Sequence, residues 1–282
     1  MEQNNNLGFV NPPLGVRGLV LVTGGAGEIG SAICKQFAAN GYDVIATYNS
    51  NPSKAEKLLD ELNKISEQIA SPMGAGGAGH SIFHAPTTDA QKVAELKVFI
   101  AEKYGKLDVL VNNAGITTPV PHDDLESLTD EWIDKIMQTN FRGSFAMVRA
   151  MKDLLMNENS QDSSLNAHHS SLIVNISSIA GIYGIGSNVA YCASKAAIDS
   201  MTRSLARALS PKIRVVSVSP GFVEGEYTKT FDPKFLQNQM DNTPMGRFAT
   251  GGDVANAVYA LASTLTFSTG NIITIDGGRL LK

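Results

Sequence analysis

SLIVNISSIAGIYGIGSNVAYCASKAAIDSMTRSLARAL, from Ser171 to Leu209, is the stretch around which the chain is organised. Leu172 to Ile176 is a short apolar run rich in β-branched residues, the pattern of a buried strand. A turn rich in serine and glycine follows. Beyond it, Ala193, Ala197, Met201, Leu205 and Leu209 recur every fourth residue, which predicts a helix with one buried face. Tyr191 and Lys195 are also four apart, so a phenol and an ammonium occupy neighbouring turns. Ser178 stands just past the strand, where the turn can return its hydroxyl to the phenol.

The pair has a chemical meaning. A phenol with a pKa of about 10 is a poor acid or base at neutral pH. A cation about 5 Å away, at an effective dielectric of about 20, favours phenolate by roughly 3 kcal/mol, or about two pKa units. Reversible carbonyl reduction requires an acid–base near the working pH. Ser178 can donate to a substrate oxygen as negative charge develops there. Tyr-x-x-x-Lys also arises by accident on amphipathic helices, so the rest of the chain must choose.

With 282 residues, 43% hydrophobic and 18% charged, the chain reads as one globular domain with a sizeable core. A net charge of −4 carries no footprint for nucleic acid or an anionic membrane. Cys34 and Cys192 both fall in predicted helices and read as reduced thiols. The start, MEQNNNLGFVNPPLGVR, lacks the basic and apolar regions of a secretory signal, and no apolar run approaches the ~20 residues of a membrane span. The expectation is a cytoplasmic protein, with residues 1–16 a mobile arm and 17–282 a single domain.

Along that domain, strands are predicted at Gly18–Val22, Val44–Tyr48, Ile82–Ala85, Leu107–Val111, Leu172–Ile176, Ile213–Val218 and Asn271–Ile275. Between them come helices at Glu28–Asn40, Ser53–Gln68, Asp89–Tyr104, one long helix from Thr129 to Met156, and the Tyr191 helix. A short helix at Pro233–Met240 and a last one after Gly252 complete the set. Ser71–Gly79 and Asn157–Ser171 read as exposed connections. His168 and His169 are adjacent in the second and lack companion ligands, so no metal site is expected. Alternating strands and helices, with strands apolar on both faces, mean an α/β fold: a doubly wound, Rossmann-type parallel sheet of seven strands. Such sheets bind ligands at the carboxyl ends of their strands. Thr23, Asn112, Ser177 and Pro220 therefore share one edge.

The turn TGGAGEIG, Thr23 to Gly30, joins the first strand to the first helix and can face backbone amides toward a phosphate. Glycine-rich turns also exist merely to let elements pack. Taken with NNAG (Asn112, Asn113, Ala114, Gly115), Asn140 in QTNFRGSF, Ser178, YCASK and SPG (Ser219 to Gly221), however, the chain resembles the short-chain dehydrogenase/reductase family, in particular its 3-oxoacyl-carrier-protein reductases, from about Val16 to Gly278. The resemblance implies Tyr191 as acid–base, Lys195 as the group that lowers its pKa and holds the nicotinamide ribose, Ser178 as the carbonyl-orienting donor, and Asn140 as holder of a water in the proton relay. It implies a nicotinamide dinucleotide held by Gly24, Gly25, Glu28, Ile29, Gly30, Tyr48, Asn49, Ser50, Asn112–Gly115, Pro220, Gly221 and Val223. The substrate is a small carbonyl compound or alcohol, and the protein a homotetramer or homodimer built on the Thr129–Met156 and Tyr191–Leu209 helices.

Four positions depart from the family pattern. Glu28 replaces a glycine of the turn, Pro86 an adenine-binding aspartate, Gly225 a threonine, with Thr228 near enough to substitute, and Val216 an asparagine. Tyr48 stands where relatives preferring NAD(H) carry an acid, so NADP(H) is expected over NAD(H), with Asn49, Ser50 and Lys54 as donors. The segment Phe222–Gly246 reads equally as a lid over an apolar substrate and as aromatic packing onto the body. A sugar-nucleotide epimerase is disfavoured by the compact length. A non-catalytic dinucleotide sensor or scaffold is disfavoured by the intact Asn, Ser, Tyr and Lys set.

Overall fold

Leu19–Val22 (β1) alternates its four buried side chains between two apolar layers, and this strand lies inside the sheet. The computed structural model describes residues 18–69, 78–156 and 170–281. The N-terminal arm, most of the Ser71–Gly79 connection, and His168 and His169 lie outside them. The other strands are Asp43–Tyr48 (β2), Ser81–His84 (β3), Val109–Asn112 (β4), Ser171–Ile176 (β5), Ile213–Pro220 (β6) and Ile272–Ile275 (β7). All pair in parallel, in the order β3-β2-β1-β4-β5-β6-β7. The order reverses between β1 and β4, and the carboxyl ends of those two strands open a crevice.

Helices Glu28–Ala39 (α1), Pro52–Ile69 (α2) and Gly251–Ser263 (α9) cover one face, where Val20, Val22, Val44, Val111, Val174 and Val216 are buried. Helices Ala90–Lys103 (α3), Ser144–Met156 (α5) and Val189–Leu209 (α7) cover the other, over Leu19, Leu21, Ile45, Leu110, Ile173 and Val215. Crossover helices on both faces explain why the strands read as continuous apolar runs. Phe37 of α1 is fully buried between the edges of Tyr42 and Tyr259, 5.0 and 5.5 Å away between ring centroids. Truncating it to alanine removes roughly 3–5 kcal/mol of packing. Val216, where the family pattern has asparagine, is simply part of this core.

Four local expectations need correction. The long helix is not uniform: Asp130–Met137 (α4) passes through a π-helical segment, Gln138–Gly143, before α5. The serine- and glycine-rich turn contains a short helix, Ile179–Tyr183 (α6), capped by Ser178. The last helix begins at Gly251, with Thr250 and Asp253 forming a reciprocal cap, so Gly252 lies inside it. On α7 the apolar repeat marks the buried face only in part. Ala193 is exposed, whereas Ser194, Lys195, Asp199 and Thr202 are buried. Those polar groups can turn inward because each finds partners, Lys195, Asp199 and Thr202 on the strands and Ser194 on Asn140, as buried polar groups must.

Candidate active site

The glycine turn sits at the carboxyl end of β1 and is braced from two sides. Thr23 Oγ1 accepts from the amides of Asn113 and Ala114, both at 3.0 Å. Asn113 Nδ2 donates back to the carbonyls of Thr23 and Gly24. Gly24 takes a positive φ of 62°. Any Cβ at Gly30 would lie 2.4 Å from Gly24 O, and one at Gly25 would lie 2.6 Å from Ala46 Cβ. The turn is therefore compressed against its own strand, leaving the start of α1 facing outward.

That start suits an anion. Gly27, at the N-cap, has no side chain to satisfy the first amides of α1, whereas α3, α7, α8 (Pro233–Asp241) and α9 each carry a side-chain cap. A cavity of about 290 Å³ opens here, bounded by Ala26, Gly27, Glu28, Ser31, Lys54 and Glu226. Tyr48 ends β2, and Asn49 and Ser50 follow it, both exposed. The residues present fit a dinucleotide phosphate, with one qualification of charge: Lys54 Nζ is already bonded to Glu226 Oε2 at 2.8 Å.

Two of the departures from the family pattern prove to be neighbours. The Glu28 side chain runs toward Gly225, where an added Cβ would stand 3.2 Å from Glu28 Cγ. The side chain gained at 28 fills space next to the one lost at 225. Thr228 does not stand in for the missing threonine. Its hydroxyl accepts from Gly225 N at 3.2 Å and donates to Gly225 O at 2.7 Å, closing a local turn.

The residues expected to act as acid and base gather where β4 and β5 end. Asn188, fully buried, caps α7 by accepting from Tyr191 N at 2.7 Å, while its amide donates to Thr118 O at 2.6 Å. Tyr191 is half-buried, and Lys195 is 4% exposed, with Nζ 5.6 Å from the Tyr191 ring centroid. Lys195 Nζ donates to Ile176 O at 2.8 Å. Burial pushes this ammonium down to about 8, and the carboxylate of Asp199 opposes the shift. Ser178 Oγ accepts from Ala180 N at 3.1 Å.

Asn140 is wholly buried in the π segment. Its Oδ1 accepts from Ile116 N at 2.8 Å, and its Nδ2 donates to Ile116 O and Ser194 Oγ, both at 3.0 Å. A Cβ at Gly115 would lie 3.3 Å from Asn140 Oδ1 and 3.6 Å from Lys195 Nζ. Gly115 thus brings the loop after β4 against both. Asn112 points elsewhere: its amide donates to Asn175 Oδ1 at 2.9 Å within the buried layer under α7. Pro220 ends β6, Gly221 N donates to Ile275 O at 3.0 Å, and Val223 is buried in a bridge to Ala249. Reading the sequence missed Asn188, which the usual helix-start signal would have flagged, and Asp199, a lone carboxylate in a buried row.

The model of a family described as enoyl-(acyl carrier protein) reductase matches residues 24–279. The chain is a short-chain dehydrogenase/reductase. Members of this family among its relatives include the 3-oxoacyl-[acyl-carrier-protein] reductase FabG of Staphylococcus aureus, 31% identical over 92% of this chain and 96% of the relative. The FabG of Thermotoga maritima is 32% identical over 93% and 97%. The solved short-chain dehydrogenase/reductase of Burkholderia xenovorans superposes with a TM-score of 0.80 at 28% identity, covering 94% of this chain and 99% of that one. The Pseudomonas aeruginosa RhlG/NADP active-site complex also gives 0.80 at 28% identity, over 93% and 96%. As a short-chain dehydrogenase/reductase the protein is an NAD(P)-dependent oxidoreductase acting on a small molecule. No helix among the described residues is long and apolar enough to cross a membrane.

Proposed function

We propose that this enzyme reduces a carbonyl group to a secondary alcohol, reversibly, with Tyr191 as the proton donor and NADP(H) as the favoured cofactor. The observation that carries the reading is the buried Lys195 ammonium, tied to Ile176 O by one of its three donors and lying beside the Tyr191 ring. When bound, the dinucleotide supplies the hydride that reaches the carbonyl carbon. Tyr191 gives its hydroxyl proton to the carbonyl oxygen, and the neighbouring ammonium stabilises the phenolate left behind. Ser178 Oγ already accepts from Ala180 N, so its own proton is directed outward to the same oxygen. The two remaining donors of Lys195 would be left to hold the ribose hydroxyls of the dinucleotide. Asn140, its side chain engaged with Ile116 and Ser194, holds the loop and helix at the spacing a relay water needs.

The cofactor preference rests on Tyr48, Asn49 and Ser50, which place no carboxylate at the end of β2. Glu226 opposes it by occupying Lys54. The substrate class to assay first is the one named for the FabG relatives, a 3-oxoacyl group on carrier protein. Tyr191→Phe should keep fold and dinucleotide binding while turnover falls by about 10²–10⁴-fold. A variant that turns over a confirmed substrate at nearly the parent rate refutes the assignment. Ser178→Ala should damage kcat far more than Ser177→Ala, because Ser177 Oγ donates to Lys195 O inside the protein. Tyr48→Asp should move kcat/KM toward NAD(H).

A further inference from the structure

One turn beyond Lys195 on α7 stands a carboxylate that the reaction as drawn does not use. Asp199 is 3% exposed. Its Oδ1 accepts from Ser217 Oγ of β6 at 2.9 Å, while Oδ2 is buried with no hydrogen-bond partner among the described residues. An ionised oxygen left unpaired in an apolar layer is costly and calls for a reason. Lys195 presents the complementary oddity. It is a buried cation that donates to a neutral backbone carbonyl, and no direct ion pair reaches it among the described residues.

We propose that Asp199 is a positioning residue of this active site: anchored by Ser217, its buried carboxylate supplies the negative charge that keeps Lys195 protonated beside Tyr191. The inference rests on the proposed role of Tyr191 and Lys195. Three residues, Tyr191, Lys195 and Asp199, run down one side of α7 at four-residue intervals, so charge alternates along that side from the open crevice into the interior. The groups acting on Asp199 are few. Lys195 and Arg203 of its own helix favour its ionised form, as does the hydroxyl of Ser217 from β6, while Ser177 on the β5 side gives its proton to Lys195 O. Burial works against both members, pushing Lys195 down and Asp199 up, and each charge relieves the other. Around Lys195 itself stand the neutral Asn140 of the π segment and the Ile176 carbonyl of β5.

The test is the pH profile of kcat/KM for carbonyl reduction by the full-length enzyme, compared among the parent, Asp199→Asn, Asp199→Glu and Ser217→Ala. Without the carboxylate, Lys195 loses its proton at lower pH. The alkaline limb of Asp199→Asn should then move down by about one unit, an about tenfold fall in kcat/KM above both midpoints. Asp199→Glu should move the limb back toward the parent. Ser217→Ala, which removes the bond that favours the carboxylate, should shift it the same way by less. A limb that stays in place in Asp199→Asn, with activity lowered equally at every pH, reduces Asp199 to a structural group and overturns the proposal. If Asp199→Asn does not fold, an unshifted limb in Ser217→Ala overturns it. Tyr191→Phe in the same series separates the two failures. Near-parental turnover there removes the underlying site, whereas loss of turnover there with no shift in the Asp199 variants removes only this inference.

Discussion

Two cations are buried at opposite ends of the central strands, and they are treated differently. Arg214, near the amino end of β6, is 7% exposed and donates through its whole guanidinium: to Ser170 Oγ, Leu265 O, Ser268 O and Leu261 O, at 2.9–3.2 Å. Those carbonyls belong to the end of α9 and the chain just after it, which would otherwise keep unsatisfied acceptors. Lys195, at the carboxyl edge, spends one donor on Ile176 O and makes no other hydrogen bond among the described residues. A cation that holds the fold is saturated by the protein, whereas one poised for chemistry is left partly unsaturated for a ligand to complete.

The comparison breaks first at Lys195. Lys195→Met should lower kcat/KM by about 10³-fold or more, since it removes the charge beside Tyr191 and two ligand-facing donors. The same variant should fold more tightly. The folded Lys195 releases its proton near 8 and an unfolded lysine near 10.5, so at pH 7 the buried charge costs on the order of 3 kcal/mol. Between those values the unfolded chain binds more protons, so parent stability rises with pH across this window. The thermal advantage of Lys195→Met should therefore be full below pH 8 and fade toward pH 10.5. Melting curves at pH 7 and pH 10 measure it, and an equal advantage at both would contradict the burial argument.

Arg214→Leu should do the reverse. It takes a donor from three carbonyls, of which Leu265 O keeps Ser268 N, and should cost about 3 kcal/mol, seen as a drop in Tm of roughly 10 °C. At 25 °C, kcat/KM of the folded fraction should stay within about twofold of the parent. A selective loss of turnover would erase the distinction between the two cations.

The smallest effect belongs to a third cation, the exposed Lys54. Glu226→Gln releases it from its bridge and should improve KM for NADP(H) by about threefold without helping NAD(H), and less at high salt. Equal gains with both dinucleotides would mean that Glu226 repels the shared pyrophosphate and not that it competes for Lys54.

Much of the fold is legible in the sequence because parallel strands buried on both faces leave long β-branched runs, and because punctuation such as Gly41 and Asp89 falls where helices end and begin. The Tyr191–Lys195 spacing survives intact for the same local reason. What escapes is non-local. Nothing in ASKAAIDSMT tells that Ser194, Asp199 and Thr202 face inward, since their partners Asn140, Ser217 and Asn175 come from three other elements. The fit of Glu28 against Gly225 is hidden likewise, for the two lie far apart in the chain and meet only when the sheet's edge assembles. The aromatic residues after β6 form a cluster in which Phe222 lies 4.8 Å from Phe248 and Phe231 5.4 Å from Phe235, ring centroid to ring centroid. Their packing on one another is visible, while α8 buries no residue of its own.

The wide turn at Gln138–Gly143 makes the helix that carries Asn140 a spliced one. It holds one residue more than a regular α-helix would over the same distance, so the two flanking pieces are out of phase by design of the sequence rather than by bending. Deleting any single residue between 138 and 143 would restore a continuous α-helical ladder. It would also turn α4 by about 100° relative to α5 and draw it in by about 1.5 Å. Ile136, now fully buried, would swing off its contact, and Asn140 would no longer reach Ile116 and Ser194 together. The better helix would be the poorer enzyme, so in this chain an apparent irregularity is a unit of information exactly one residue long.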